Sequence, residues 1–371
     1  MKKFNLNEKL AAALQNAEAY APGEQPRGGG WVKLNTNEFP YPPSPKVIEA
    51  IMGELSGDAG SLRLYPDPQS SNLRAEIASA FGLSPENVIA TNGSDDLLNI
   101  AMRAFSDGEK SVAALDPSYS LYPVLAKMCA AGYAGLGFDR GMEIPYERIF
   151  SCGANIFFFT NPNAPTGAGW GTEAVERIAA GFNGIVVADE AYAPFGGVTA
   201  AKLVEKYPNL IVAGTLSKGW GLAGMRVGWG LASERIIRAL DCVRDSYNLD
   251  RLAQAAGVAA LRDAEYYEKF RAKVVKTRGD TAEFFRSLGW EFPESSANFI
   301  LVTPKDASGK TGPEVAADLF EFLKARKILV RYFSSIENVN MAHRVTIGTD
   351  VQMEAYKAGV REWLAARRKP I

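Results

Sequence analysis

Leu210-Ile-Val-Ala-Gly-Thr215-Leu-Ser217-Lys218-Gly-Trp-Gly-Leu-Ala-Gly224-Met-Arg226 runs from an unbroken apolar segment into a turn that carries hydroxyls, a lysine and an arginine. An apolar run of this length without polar alternation reads as a strand covered on both faces. Its polar residues gather just past its carboxyl end, which is where parallel α/β sheets bind ligands. Lys218 sits among small and apolar neighbours that can desolvate its amine and make it nucleophilic. Thr215, Ser217 and Arg226 offer two hydroxyls and a guanidinium, a set suited to a phosphate. A lone lysine in a turn is more often a solvated surface group, so the segment needs support from elsewhere in the chain. Gly219, Gly221 and Gly224 also spell G-x-G-x-x-G. A dinucleotide fingerprint, however, belongs in the first βαβ unit with an acidic residue ending the next strand. Asp241, at about the right distance, falls in a helical pattern over 234–243, so that reading is set aside.

Working outward, the same grammar recurs. Ile185-Val-Val-Ala-Asp189-Glu-Ala-Tyr192 is an apolar strand ending in a carboxylate, with a tyrosine three residues on. Asp189 is placed either to face a ligand or to cap a following helix. Val88-Ile-Ala-Thr-Asn92-Gly93-Ser94-Asp95-Asp96 runs from a strand into a helix start. Free N–H groups there attract anions, although Ser94 alone would serve as an ordinary cap. Asn161-Pro-Asn163-Ala164-Pro-Thr-Gly167 is a turn after the strand 156–160.

Further strands are expected over 88–90, 111–115, 185–188, 210–215 and 227–231. Helices are expected over 95–105, 119–131 and 71–81, the last with Ser71 as a possible cap and Leu73, Ile77 and Phe81 on one face. Strands alternating with helices make an α/β unit with a largely parallel sheet. Beyond residue 260 the texture changes: an amphipathic helix over 262–288, a strand over 298–302, a helix over 314–326, strands over 328–331 and 344–347, then a last helix. This order suggests a smaller α+β domain. Residues 1–45, with Pro22 to Gly30 and Pro40, Pro42, Pro43 and Pro45, read as an arm that wraps something. The expected division is an arm over 1–45, a large domain over 46–260 and a small domain over 261–371.

Composition narrows the chemistry. The 371 residues make two domains at ~150 residues each, and 47% hydrophobic content supplies a large core. A net charge of −1 gives no support to a polyanion-binding role. With one histidine, His343, no mechanism needing two survives, nor does a histidine-rich metal site, and no metal is expected. Cys129, Cys152 and Cys242 are widely separated and odd in number, which suits a reducing compartment and hence the cytoplasm. No run of ~18 apolar residues is present. Met1-Lys2-Lys3 is basic, but Asn5, Asn7, Glu8 and Lys9 interrupt any signal-peptide core. The chemistry is left to Lys, Asp, Tyr, Arg or a borrowed cofactor.

Together the four segments resemble fold type I pyridoxal-phosphate aminotransferases, and within them the histidinol-phosphate aminotransferase branch. The resemblance is carried by Leu34-Asn-Thr-Asn-Glu-Phe-Pro-Tyr-Pro-Pro-Ser-Pro45, Tyr65-Pro-Asp67, Asn92-Gly-Ser-Asp95, Pro117-Ser-Tyr119, Asp189-Glu-Ala-Tyr192, Thr215-Leu-Ser-Lys218, Gly221-Leu-Ala-Gly-Met-Arg226 and Arg344-Val-Thr-Ile-Gly348. It runs over nearly the whole chain, and the order of the motifs is more specific than any one of them. It implies pyridoxal 5'-phosphate as cofactor and a large α/β/α domain beside a smaller α+β one. Lys218 matches the lysine that forms the internal aldimine and later moves the substrate proton. Asp189 matches the carboxylate facing the pyridine nitrogen, Tyr192 the tyrosine on the phenolic oxygen, and Tyr119 the aromatic stacked on the ring. Gly93, Ser94, Asp95, Thr215, Ser217 and Arg226 match the phosphate cradle. Tyr65 matches a tyrosine that reaches the phosphate of the partner subunit, which implies a homodimer. Arg331 and Arg344 match arginines that hold the anionic end of the substrate, and Asn248 a position on the substrate side.

The implied reaction moves an amino group between histidinol phosphate and 2-oxoglutarate by a ping-pong route. An aromatic or broad-specificity aminotransferase, or a threonine-phosphate decarboxylase-like enzyme, would use the same fold. A non-catalytic binding module and a nicotinamide dehydrogenase are the readings of a different class. The chain departs from the family pattern at Ala164, where an asparagine usually donates to the cofactor's phenolic oxygen. Asn161 and Asn163 are the candidates to substitute, though neither is at the matching position. Asp96 stands where glutamate is usual. His343 adjoins Arg344 but is expected to be structural.

Overall fold

The computed structural model describes residues 4–11, 14 and 23–367. Met1-Lys2-Lys3 and Pro22 lie outside the described residues. The apolar runs form a seven-stranded sheet from β2 (Val88–Thr91), β3 (Val112–Asp116), β4 (Tyr133–Gly137), β5 (Ile156–Thr160), β6 (Ile185–Asp189), β7 (Leu210–Thr215) and β8 (Gly228–Ala232). Their order is β2-β8-β7-β6-β5-β3-β4. β3 to β7 run parallel with their neighbours among themselves, β4 pairs parallel with β3, and β8 is antiparallel to both β2 and β7.

The lack of polar alternation follows from the two covered faces. Phe157, Phe159, Val186, Ala188 and Val212 point into one buried cluster, together with Tyr267 and Leu73. Ile156, Phe158, Val187, Ile211 and Ala213 point into another, with Leu97 and Tyr122. Successive side chains alternate sides, so a strand with helices on both faces must be apolar at every position.

A four-stranded sheet is formed by β1 (Val32–Leu34), β9 (Phe299–Val302), β10 (Ile328–Tyr332) and β11 (His343–Thr346), in the order β1-β10-β11-β9. β1 pairs parallel with β10, Val32 opposite Ile328. The end of the proline-rich arm is therefore a strand of the smaller sheet rather than a separate wrapping. We propose the division between residues 260 and 261 with β1 joined to the smaller unit.

Three local expectations differ from what is observed. β4 is an edge strand with one neighbour; its sequence, Tyr-Ala-Gly-Leu-Gly, is largely exposed and carries two glycines, so no apolar pattern marks it. The helix expected over 262–288 is present as Ala264–Ser287, but an unexpected helix, Arg251–Arg262, precedes it and the two meet at Asp263. The Asp263 carboxylate takes the Lys46 amine at 2.6 Å and the Ser44 hydroxyl, tying the joint to the start of the helix Pro45–Glu54. Ser71 is the first residue of its helix and not its cap; its N–H is met by Asp67 Oδ2 at 2.6 Å. Among the described residues no helix is long and apolar enough to cross a membrane.

Candidate active site

The carboxyl ends of β3, β5, β6 and β7 face the two inner strands of the smaller sheet, β10 and β11, with residues 35–37 between them. They enclose a cavity of about 550 Å³, a volume ordinary for a small-molecule site. β7 ends at Thr215, whose hydroxyl oxygen accepts the Ser217 N–H at 3.1 Å and starts a single helical turn, Leu216–Gly219. That turn directs Lys218 into the cavity. Its Nζ donates to the Thr36 carbonyl at 3.2 Å and lies 5.9 Å from the centre of the Tyr192 ring. Burial, reinforced by the Arg344 charge, pushes the amine down to about 8.

β6 places Asp189 at the floor of the cavity, 3% exposed. Burial pushes its carboxyl up to about 6, while hydrogen bonds work the other way. Tyr122 donates to Asp189 Oδ2 at 2.7 Å, and the Ala191 N–H donates to Oδ1 at 3.2 Å. The following helix, Ala193–Gly196, has Tyr192 at its cap position, so Asp189 is not its cap. The Tyr122 oxygen also lies 2.6 Å from Thr160 Oγ1, at the end of β5. Tyr119 forms part of the wall, meets Tyr122 edge-on at 5.6 Å and donates to Asp95 Oδ1 at 3.1 Å.

An anion cradle lies at the start of the helix Ser94–Phe105. Arg226 reaches Ser217 Oγ at 3.3 Å and Asp95 Oδ2 at 3.4 Å. Gly93, with φ of +82°, holds this corner open, since a Cβ there would lie 2.5 Å from Arg226 Nη2. Helix N–H groups, two hydroxyls and a guanidinium converge, which is a donor set for a phosphate. Ser94, Asp95, Thr215, Ser217 and Arg226 all line the cavity.

On the opposite wall Arg331 and Arg344 stand directly across from each other on β10 and β11. Both line the cavity and both lie over the Phe333 ring, at 5.2 and 5.4 Å. Arg344 Nη2 also donates to the Asn35 carbonyl at 3.1 Å. Like charges directly opposed across two strands are unfavourable without an anion between them.

Two expected residues lie elsewhere. Asn248 is absent from the cavity wall: it donates to the Ala90 carbonyl at 3.0 Å and accepts from Arg244 at 3.1 Å. Its substrate-side placement finds no support in these contacts. Tyr65 is 76% exposed and stacks on Tyr247 at 4.4 Å, outside the cavity of its own chain. Nor do Asn161 and Asn163 stand in for an asparagine at 164: Asn161 is bonded to the backbone of Trp170, and Asn163 to Pro117 and Thr166. Ala164 is buried against Tyr192, Ala297 and Phe299. His343 is fully buried, with Nε2 2.7 Å from the Ala316 carbonyl, and does not line the cavity. Sequence reasoning missed Tyr122, Thr160 and Asn37. The aromatic pair Tyr119 and Tyr122, three apart after Pro117, was the signal for the first.

A model of the aminotransferase class I and II family matches residues 29–357. The chain belongs to this family. Pyridoxal 5'-phosphate is the family's cofactor. A protein of Geotalea daltonii described as histidinol-phosphate aminotransferase is 42% identical over 350 residues, covering 93% of this chain and 96% of the relative. The crystal structure of histidinol-phosphate aminotransferase from Sinorhizobium meliloti in complex with pyridoxal-5'-phosphate superposes with a TM-score of 0.81 at 25% identity, over 90% of this chain and 91% of that one. An L-threonine-O-3-phosphate decarboxylase from Porphyromonas gingivalis superposes with a TM-score of 0.76 at 19% identity, over 90% and 99%. That second likeness speaks to the fold alone.

Proposed function

We propose that this aminotransferase moves an amino group between histidinol phosphate and 2-oxoglutarate, with Lys218 as its catalytic base. The observation that carries the reading is a pair of anion sites on either side of one desolvated lysine. The cradle at Gly93 and Arg226 suits the cofactor phosphate, and the opposed Arg331 and Arg344 suit the anionic end of a substrate. The names of the relatives point to the same substrate.

The residues present fit the cofactor: Gly93 keeps free the corner that a Cβ would fill, and Asp189 offers a buried carboxylate with no cation among its hydrogen-bond partners. When bound, pyridoxal phosphate supplies an electron-accepting ring that stabilises negative charge at the substrate's α-carbon. In this reading Ser94, Asp95, Thr215, Ser217 and Arg226 hold the phosphate, Asp189 keeps the ring nitrogen protonated, and Tyr119 covers the ring. Tyr192 donates to the phenolic oxygen. Lys218 takes the proton from the substrate's α-carbon and returns it at the adjoining position, which requires an amine that is largely free near neutral pH. Arg331 and Arg344 orient the substrate, and orientation decides which bond at the α-carbon is broken.

We also propose a homodimer. Tyr65 and Tyr247 stack on each other and are exposed, and Ile48, Met52, Leu62 and Leu64 are exposed too. Covering these side chains by a second copy would bring Tyr65 toward a neighbouring cavity. A cytoplasmic location belongs to the same reading, with Cys129, Cys152 and Cys242 unpaired.

The test is a half-reaction panel on the cofactor-loaded enzyme, following loss of the visible absorbance band with histidinol phosphate, glutamate and aromatic amino acids. Histidinol phosphate and glutamate should each bleach the band at low concentration. Bleaching by aromatic amino acids but not by histidinol phosphate would assign a different substrate, and release of carbon dioxide would assign a different bond.

A further inference from the structure

Ala164 leaves one side of the cavity without a side-chain donor, and the two nearby asparagines are bonded elsewhere. That side does hold Tyr192, and the Tyr192 oxygen accepts a hydrogen bond from Asn37 Nδ2 at 2.9 Å. Asn37 is buried and fixed at three further points. Its backbone N–H donates to Thr346 Oγ1 at 3.0 Å, Thr346 Oγ1 donates to Asn37 Oδ1 at 3.1 Å, and the Asn37 carbonyl accepts from Asn298 Nδ2 at 3.1 Å. Its φ of 55° lies in the left-handed region, which asparagine tolerates better than most residues.

These contacts determine where the phenol proton goes. The Thr346 oxygen already accepts from the backbone, so its hydroxyl proton is available to Asn37 Oδ1. That orients the amide with its NH₂ group toward Tyr192. An amide N–H cannot accept, so the single proton of Tyr192 must point away from Asn37. Accepting a hydrogen bond also makes a hydroxyl a stronger donor.

We propose that Asn37 is a positioning residue that directs the Tyr192 proton onto the phenolic oxygen of the bound cofactor, strengthening the one tyrosine donor on a wall where residue 164 has none. The proposal rests on the reading of Tyr192 as the partner of that oxygen. Asn37 comes from the segment joining the two sheets, so the smaller unit helps to tune the cofactor through a residue that need not touch it. Donors to the phenolic oxygen favour its ionised form. Removing one therefore raises the pH at which the visible band of the loaded enzyme shifts.

The test is that midpoint, followed by absorbance titration of the loaded protein in four forms: unaltered, Asn37→Gly, Tyr192→Phe and the double variant. Glycine accepts the left-handed backbone and removes only the side chain. Arg344, Asp189, Asp95 and Lys218 face Tyr192, and Arg344, Asp95, Glu38 and Arg226 face Lys218. All are kept in every form, so their fields largely cancel in the comparison. Asn37→Gly should raise the midpoint by roughly half to one pH unit, Tyr192→Phe should raise it further, and the double variant should match Tyr192→Phe. Equal effects of Asn37→Gly in both tyrosine backgrounds, or none in either, would overturn the proposal while leaving the Tyr192 reading intact. No effect of Tyr192→Phe would overturn that underlying reading as well. Thr346→Val, which loosens the amide without removing it, should give a smaller rise in the same direction if Asn37→Gly fails to fold.

Discussion

Replacing Tyr122 by phenylalanine removes one oxygen from a buried stack and asks what keeps Asp189 ionised. The ring is fully buried and stacks on Phe158 at 4.6 Å, so phenylalanine preserves the packing. What is lost is the hydrogen bond to Asp189 Oδ2 at 2.7 Å and the contact with Thr160. Burial already pushes Asp189 up to about 6, and the Tyr122 hydrogen bond is the largest influence in the opposite direction. A hydrogen bond to a charged group contributes about 1.5–3 kcal/mol, and one pH unit corresponds to about 1.4 kcal/mol. The variant should therefore raise the Asp189 midpoint by about one to two pH units.

The sign follows from the charge that the site needs. A protonated, cationic ring nitrogen is held by the ionised carboxylate, so cofactor affinity falls as pH drops through the Asp189 midpoint. In the unaltered protein that fall is centred near the Asp189 value of about 6. In Tyr122→Phe it should move into the neutral range, and affinity near pH 7 should drop about two- to tenfold. The assay is the dissociation constant of pyridoxal phosphate from the cofactor-free proteins, read by fluorescence across about pH 5.5 to 8.5. Both proteins share the titrations of Lys218 and of the cofactor itself, so the displacement between the two curves is the informative quantity. Superimposable curves would refute the idea that Tyr122 sustains the ionised carboxylate. A uniform loss at every pH would make Tyr122 a packing residue only.

Gly93→Ala should weaken cofactor binding at least tenfold with little change in fold, because the added carbon meets Arg226 Nη2 at 2.5 Å in a backbone of φ +82°; equilibrium dialysis measures this, and unchanged binding would count against the cradle. Ala164→Asn should lower the pH midpoint of the visible band, since it adds a donor where the chain has none; an equal midpoint in a spectrophotometric titration would sink that idea. His343 is pushed down to about 4 by burial, so between its ordinary value of 6.5 and that point the unfolded chain binds the extra proton and stability falls on acidification. Urea unfolding should therefore show a smaller loss from pH 7 to about 4.5 in His343→Phe than in the unaltered protein, by up to about 3 kcal/mol, and equal losses would remove His343 from the account.

What could be read from the chain was local. Thr215, Ser217, Lys218 and Asp189 follow directly from strands whose ends are marked by a change from apolar to polar within a few residues. Tyr122 and Asn37 act on partners 67 and 155 positions away. No periodicity records such a meeting, and each residue has an ordinary local role as well, one inside a helix and the other in a proline-rich segment. The tie at Asp263 escaped for the same reason: its partners are Ser44 and Lys46, more than two hundred positions earlier. β4 escaped because an exposed edge has no need of the apolar residues by which a strand is recognised. Asn248 is the converse case: a polar residue at a matching position says nothing of its contacts, and within this chain its amide meets Ala90 and Arg244.

The two sheets are joined through electrostatics as well as through residues 35–37. Arg344 stands against Arg331 at a cost, and its charge is also, after burial, the main influence that lowers the Lys218 amine. An anion seated between the arginines would relieve both effects together. The opposed guanidinium groups would gain a counter-charge, and Lys218 would lose part of the field that makes it a weak base. In the proposed reaction that change falls at the step where Lys218 must take a proton from the α-carbon. Substrate lacking its anionic group should then lose kcat as well as affinity, because the same guanidinium that binds the anion sets the strength of the base. A loss confined to KM would separate the two roles and leave Arg344 as a binding group alone.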